Sequence, residues 1–135
     1  MIREKILAKL DLLEQYVSKF PDIVPTEKFD YLNSFEKQLA VERLLQLSIE
    51  LVIDISILMV KLKKLGLPAN EEEIFQKLAP MLKYPELYQE MKRFRNVLVH
   101  KYGDIKSDLV FQNATEKISD FSIFIQEIKE ILRES

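Results

Sequence analysis

A stretch of about forty residues without proline or glycine limits most strongly how this chain can fold. It runs from about Thr26 to Lys64, and the whole sequence contains only two glycines. Because tight turns depend on glycine and proline, few of them can occur here. The stretch therefore predicts one long helix of roughly 55 Å, at 1.5 Å per residue. Gly66 and Pro68 mark its end.

Apolar spacing and capping residues predict further helices on both sides of this stretch. Residues 2–19 repeat apolar side chains at three- and four-residue steps. Asn70, with Glu73 three residues later, resembles a capping box that opens a short helix to residue 79. Further helices are expected from Pro85 to about Tyr102 and from about Ser107 onward. We predict an all-α, antiparallel bundle of about five helices, with a long central second helix, in one domain over 1–135.

Composition excludes several classes of protein. The net charge is −2, so nucleic-acid binding would require a local basic patch. Without cysteine, the chain cannot form disulfides, use thiolate catalysis or hold zinc through cysteine. The N-terminus lacks a signal-like apolar core, and polar residues interrupt the longest apolar region, around 44–60. A cytoplasmic protein without a membrane span is therefore expected.

A polar stripe follows one side of the long helix, although this helix is apolar almost all round from 44 to 60. At 100° per residue its members fall within about 80° of arc. The stripe comprises Glu36, Arg43, Gln46, Glu50, Asp54 and Lys61. It is either a solvated face with pairs four residues apart, or one wall of a groove or a helix–helix dimer contact.

The segment RFRNVLVHKYGD, residues 93–104, contains the only histidine in the chain. On a helical wheel it has an apolar face and a basic, hydrogen-bonding face. The basic face comprises Lys92, Arg93, Arg95, Asn96 and His100. Arg95 and His100 lie about 140° apart, with Asn96 between them. Both side chains could reach a ligand that lies over Asn96.

These side chains suit phosphodiester chemistry. An arginine neutralises a phosphate through two directed hydrogen bonds, and a histidine exchanges protons near neutral pH. Together they suffice in principle for RNA cleavage, in which the 2′-hydroxyl attacks the adjacent phosphate without a metal. The structural alternative is that His100 caps the helix end or pairs with Asp104. In that case Tyr102 is a core aromatic, and Arg93 and Lys92 are solvated charges.

Three segments in order resemble a known family. Arg95-x4-His100-x-Tyr102 resembles the R-x4-6-H motif of the HEPN superfamily and, more narrowly, the R-x4-H-x-Y form of the HepT-type (DUF86) toxins. AVERLLQLSIELVIDIS at 40–56 and LGLPANEEEIFQKLA at 65–79 are similar to two further segments of that family. The resemblance extends from about residue 27 to the end of the chain.

The resemblance implies an activity and a partner. It implies a homodimeric, metal-independent endoribonuclease without a cofactor, whose motif helices meet at a cleft between subunits. Arg95 would bind and polarise the phosphate, and His100 would transfer protons. Such a protein is the toxin of a toxin–antitoxin pair of type II/VII. The antitoxin is a minimal nucleotidyltransferase that uses ATP to attach AMP to the motif tyrosine, here Tyr102, and so blocks the cleft.

Neighbouring residues receive supporting roles in this interpretation. Lys92, Arg93 and Lys101 would make the patch more basic and contact RNA, while Asn96 would orient His100. In the polar stripe, Glu50 and Asp54 would form a wall of the cleft. The alternative is a non-catalytic, dimeric helical binding module that partners a minimal nucleotidyltransferase without cutting RNA.

Overall fold

The computed structural model of the chain describes residues 1–100 and 106–134, with only the backbone at His100. Within these residues the fold is entirely helical and has seven α-helices, which confirms the all-α prediction. The helices are α1 (Ile2–Ile23), α2 (Lys28–Leu32), α3 (Phe35–Leu62), α4 (Glu71–Leu78), α5 (Pro85–His100), α6 (Ser107–Glu116) and α7 (Ser119–Glu134). A single 3₁₀ turn, Ala79–Met81, connects α4 to α5.

The long central helix begins later than the sequence predicts. A break at Asn33 and Ser34 separates α2 from α3, so one unbroken helix over 26–64 is wrong. Ser34 has an extended backbone, and its Oγ accepts a hydrogen bond of 3.2 Å from the Lys37 amide. Asn33 Nδ2 donates to the Phe29 carbonyl at 2.8 Å, and Gln38 Nε2 donates to the Leu32 carbonyl at 3.0 Å. These side chains satisfy the backbone groups that the break exposes.

The first and last predicted helices also differ from the structure. Helix α1 passes through Pro21 and ends two residues later at Ile23. Proline has no N–H to donate, so the helix loses one backbone hydrogen bond at this position. Buried Phe20 anchors this last turn by stacking on Phe121, with ring centroids 6.3 Å apart. The single helix expected from Ser107 divides into α6 and α7. They pack on different neighbours, α6 on α2 and α3, and α7 on α1.

The expected boundaries around α4 are confirmed. Asn70 Oδ1 accepts a 3.1 Å hydrogen bond from the Glu73 amide, as an N-cap does. The Glu73 carboxylate accepts from the Ala69 amide at 3.3 Å, one residue before the position that a capping box uses. Gly66 has a φ of +90°, a conformation that glycine adopts without strain. It does not end the long helix as predicted, because α3 ends at Leu62 and Lys64, with a φ of 54°, takes the left-handed position after it. These features fix where the first turn of α4 starts.

Helix α3 occupies the centre of the fold and explains the position of α5. It packs against α1, α2, α4, α5 and α6. Its side chains Val41, Val52, Ile55 and Met59 are fully buried. On α5, Tyr88 packs edge-on against Phe124 of α7, with ring centroids 4.9 Å apart. Helix α5 is therefore held by apolar contacts on one side and is free to carry polar groups on the other.

No helix in the described part of the chain combines the length and the apolar character that a membrane span requires.

Candidate functional site

Helix α5 separates an apolar face from a polar one, as the sequence predicts. Met91, Phe94 and Leu98 are buried, with exposed fractions of 7–9%. This pattern arises because apolar residues recur at three- and four-residue steps and turn one face of the helix to the core. The residues predicted to act on a phosphate therefore lie outside this apolar face, on a helix that the core holds in place.

Arg95 is held by two side-chain contacts. Its Nε donates a 3.0 Å hydrogen bond to Asn96 Oδ1, and its Nη2 forms an ion pair with the Glu71 carboxylate at the start of α4. The Arg95 side chain is only 15% exposed. A guanidinium carries five N–H donors, so these two contacts leave further donors for another acceptor. Asn96 thus contacts Arg95, a partner that the sequence interpretation did not assign to it.

Lys92 differs from its expected environment. Its side chain is 6% exposed, and Nζ lies 2.6 Å from Glu72 Oε2 on α4. The hydrogen bond and the positive charge of Lys92 hold the pKa of the Glu72 carboxyl below its ordinary value. The structural alternative of a solvated Lys92 is therefore wrong. A contact between Lys92 and RNA stays a prediction, and it would require this ion pair to open.

Arg93 lies on another side of α5. It lines a cavity of about 310 Å³ between α3, α5, α6 and α7, together with apolar side chains such as Leu45, Met91 and Phe94. Two residues correspond to about 200° of helical rotation, so Arg93 and Arg95 do not share a face. Burial raises the pKa of Asp120, a further residue of the same cavity. Among the described residues, Arg93 therefore lies away from the face of α5 that carries the Arg95–Glu71 ion pair.

Three predicted site residues lie partly or wholly outside the described residues. His100 is the last residue of α5, and only its backbone is described. Lys101 and Tyr102 lie outside the described ranges. The roles assigned to these residues remain predictions. The structure describes only the position of the His100 backbone, at which α5 ends.

The polar stripe makes local contacts and contacts to α1. Glu50 Oε1 accepts a 3.1 Å hydrogen bond from Gln46 Nε2, one helical turn earlier. Asp54 is half exposed and pairs with Lys9 of α1 across 3.6 Å. The Gln46–Glu50 contact is a pair four residues apart, as expected of a solvated face, whereas the Asp54–Lys9 pair joins α3 to α1. The wall of a cleft between subunits remains a prediction for Glu50 and Asp54.

Sequence reasoning missed the acidic partners of the basic face. Glu71 and Glu72 stand at the start of α4, where acidic side chains are common because they favour the helix dipole. The run of three glutamates is visible in the sequence, but its approach to α5 depends on how the two helices pack. Among the described residues, no group of three or more His, Cys, Asp or Glu side chains could hold a metal ion.

Comparison with known proteins identifies the family. Residues 7–128 match the family described as ribonuclease HepT-like. The chain is 31% identical over 131 residues to a protein of Aphanizomenon flos-aquae named tRNA nuclease HepT. The aligned region covers 94% of this chain and 89% of that protein. The chain therefore belongs to the HepT-like ribonuclease family.

Solved structures share the fold at lower identity. A tri-AMPylated HEPN toxin of Shewanella oneidensis, solved in complex with MNT antitoxin, is 24% identical. The superposition covers 93% of this chain and 96% of that one, with a TM-score of 0.84. YutE from Bacillus subtilis, a cytosolic protein of unknown function, is 20% identical and superposes with a TM-score of 0.82 over 98% and 91% of the two chains. These likenesses establish the HEPN helical fold.

Proposed function

We propose that this chain is a metal-independent endoribonuclease, active as a homodimer, in which Arg95 and His100 perform the chemistry. The observation that carries the proposal is the state of Arg95. Its guanidinium is anchored by Asn96 and Glu71, two contacts that use two of its five N–H donors, on the helix that ends at His100. Membership of the HepT-like ribonuclease family supports the same activity.

The proposed reaction is an internal transesterification. The 2′-oxygen forms a bond to the adjacent phosphorus, and the bond from phosphorus to the 5′-oxygen breaks. The proton of the 2′-hydroxyl is removed and a proton is delivered to the departing 5′-oxygen, which are steps that histidine performs near neutral pH. Arg95 stabilises the charge that builds up on the phosphate oxygens. The products carry a 2′,3′-cyclic phosphate and a 5′-hydroxyl.

Cleavage of RNA by matched arginine variants tests this proposal. Total tRNA is a suitable substrate, because the relative from Aphanizomenon flos-aquae is named a tRNA nuclease. In excess EDTA, the wild-type chain should yield cyclic-phosphate ends, and Arg95→Ala should yield none. Arg133→Ala makes the same change at an exposed arginine in the last turn of α7 and should cleave like the wild type. Equal rates for Arg95→Ala and Arg133→Ala would contradict the proposal.

We further propose that the partner is a minimal nucleotidyltransferase antitoxin that transfers AMP from ATP to Tyr102. The HEPN toxin of Shewanella oneidensis, which has the same fold, is described as tri-AMPylated and in complex with MNT antitoxin. A bulky anion on Tyr102 would oppose an incoming phosphate beside Arg95. This modification would therefore switch the ribonuclease off.

Intact-mass measurement tests the acceptor. After incubation with ATP and such a nucleotidyltransferase, the wild-type chain should gain the mass of AMP, and Tyr102→Phe should not. Tyr84 is an exposed tyrosine just before α5, so Tyr84→Phe is the matched control and should gain AMP. Modification of Tyr102→Phe would show that Tyr102 is not the acceptor.

A non-catalytic binding module is the second candidate. The observation that favours it is the pairing of Lys92 and Arg95 with Glu72 and Glu71, which neutralises much of the basic face. Such a module would bind its nucleotidyltransferase partner and leave RNA uncut. Co-purification of the unmodified chain with a minimal nucleotidyltransferase, with no new RNA ends after incubation with tRNA, would favour this function over the ribonuclease.

A further inference from the structure

Two neighbouring glutamates of α4 hold two cations of α5. Glu71 pairs with Arg95, and Glu72 pairs with Lys92. The two cations are three residues apart, so they lie on one side of α5. The Asn70 cap fixes the first turn of α4, from which both carboxylates extend. The two ion pairs are similar in charge and location, but only the Glu71–Arg95 pair includes the side chain that is proposed to bind the phosphate.

The geometry around Arg95 restricts its guanidinium at two ends. Asn96 accepts from Nε, and Glu71 accepts from Nη2, so the plane of the group is fixed by contacts from two different helices. A free arginine side chain has considerable rotamer freedom, and part of that freedom would be lost when it binds a phosphate. A guanidinium that is already held loses less freedom during the reaction.

We infer that Glu71 is a positioning residue, which orients the Arg95 guanidinium toward the scissile phosphate. This inference rests on the proposed function, because it assigns Glu71 a role in the same reaction. Glu71 is 42% exposed and Arg95 is 15% exposed, so the carboxylate approaches from the solvent side and the arginine stays largely covered. Asn96 holds the other end of the guanidinium from its own helix.

A negative charge beside a phosphate site also has an opposing effect. The Glu71 carboxylate repels an incoming phosphate, so its removal would strengthen RNA binding unless orientation of Arg95 matters more. Glu72 carries the same charge one residue away, and its partner is Lys92. Glu72→Gln removes one negative charge and one acidic side chain from the first turn of α4, and it leaves the Glu71–Arg95 contact intact. The comparison of the two variants therefore isolates the effect of orientation.

The test compares Glu71→Gln with Glu72→Gln in steady-state cleavage of tRNA. The loss of one immobilising contact lowers kcat/KM by roughly 2- to 10-fold, and we expect that reduction for Glu71→Gln relative to Glu72→Gln. The reduction should lie in kcat, because an ordered arginine acts on charge that develops in the transition state. Glu71→Asp keeps the carboxylate and should recover part of kcat. Equal kcat for Glu71→Gln and Glu72→Gln would overturn the inference.

A second measurement separates this inference from the proposed function. The Nε–H resonance of Arg95 reports the order of its guanidinium without any RNA. It should be distinct in the wild type and in Glu72→Gln, and broadened or shifted in Glu71→Gln. If the wild type cleaves no RNA but this pattern holds, the ribonuclease proposal fails and the orientation of Arg95 by Glu71 stands. An unchanged resonance in Glu71→Gln would overturn the inference whatever the activity.

Discussion

The Tyr88 hydroxyl of α5 donates a hydrogen bond to the Glu127 carboxylate of α7, and both side chains are buried. The other carboxylate oxygen of Glu127 accepts from the Lys83 amide at 2.5 Å, just before α5 begins. Burial raises the pKa of the Tyr88 hydroxyl, and its hydrogen bond to Glu127 raises it further. A buried carboxylate is tolerated here because both of its oxygens are satisfied. The contact fixes the first half of α5, and therefore the position from which Arg95 extends.

Removal of the Tyr88 hydroxyl should destabilise the fold. In Tyr88→Phe one oxygen of Glu127 loses its donor inside the protein, and an unsatisfied buried acceptor costs about 1–3 kcal/mol. We expect the free energy of unfolding, measured by urea denaturation at pH 7, to fall by about that amount. The slope of the transition should stay unchanged, because the surface exposed on unfolding is the same.

Tyr31 offers a matched control for this variant. It is also fully buried, but its hydroxyl has no hydrogen-bond partner among the described residues. Tyr31→Phe removes the same atom without separating a donor from an acceptor, so stability should be unchanged or slightly higher. A loss in Tyr31→Phe as large as that in Tyr88→Phe would contradict the importance of the Glu127 contact.

The ion pair of Glu72 with Lys92 should contribute stability in a defined pH range. The folded state lowers the pKa of Glu72 below its ordinary value of 4.5. A carboxyl whose pKa is lowered by folding stabilises the folded state at pH values above its pKa in the unfolded state. That stability is lost as the pH falls through its pKa in the folded state. We expect Glu72→Gln to be less stable than the wild type at pH 7, with the difference shrinking as the pH falls below about 4.5.

Urea denaturation of both proteins from pH 7 down to pH 3.5 measures this dependence. Glu130→Gln provides a control, since Glu130 pairs loosely with Lys83 across 3.9 Å and no buried cation depends on it. A difference between Glu72→Gln and the wild type that stays constant over the whole range would show that the carboxylate charge is not its source.

The N-cap of α4 should matter for activity as well as stability. Asn70→Ala removes the cap and should lower the free energy of unfolding by about 1 kcal/mol. Because Glu71 follows this residue directly, a frayed first turn should also release Arg95 and lower kcat for RNA cleavage. Ser34→Ala removes the cap of α3 and should cause a similar stability loss without lowering kcat. Similar kcat values in both variants would contradict a link between this turn and Arg95.

The sequence predicts the helical fold well because its strongest patterns are local. Apolar spacing and the Asn70 cap indicate where helices lie, and the structure confirms these elements. The break at Asn33 and Ser34 was not predictable from the absence of proline and glycine. There the polar side chains replace backbone hydrogen bonds, and these residue types also occur inside helices.

The candidate site was predictable in part. The resemblance predicted Arg95 as a site residue and also predicted the family. The comparison confirms the family, but the resemblance did not indicate the acids that hold the basic face. Glu71 and Arg95 are 24 residues apart in sequence. Their contact depends on the packing of α4 on α5, which no local pattern encodes. For the same reason the burial of Lys92 could not be seen in a helical wheel of α5 alone.

The most direct test of the account is the rate of RNA cleavage in excess EDTA for the wild-type chain and His100→Ala, after intact-mass measurement has excluded AMP on either protein. We expect the wild type to cleave at the same rate with and without the chelator, and His100→Ala to lose cleavage. Cleavage by His100→Ala at the wild-type rate, or a wild-type activity that EDTA abolishes, would contradict it.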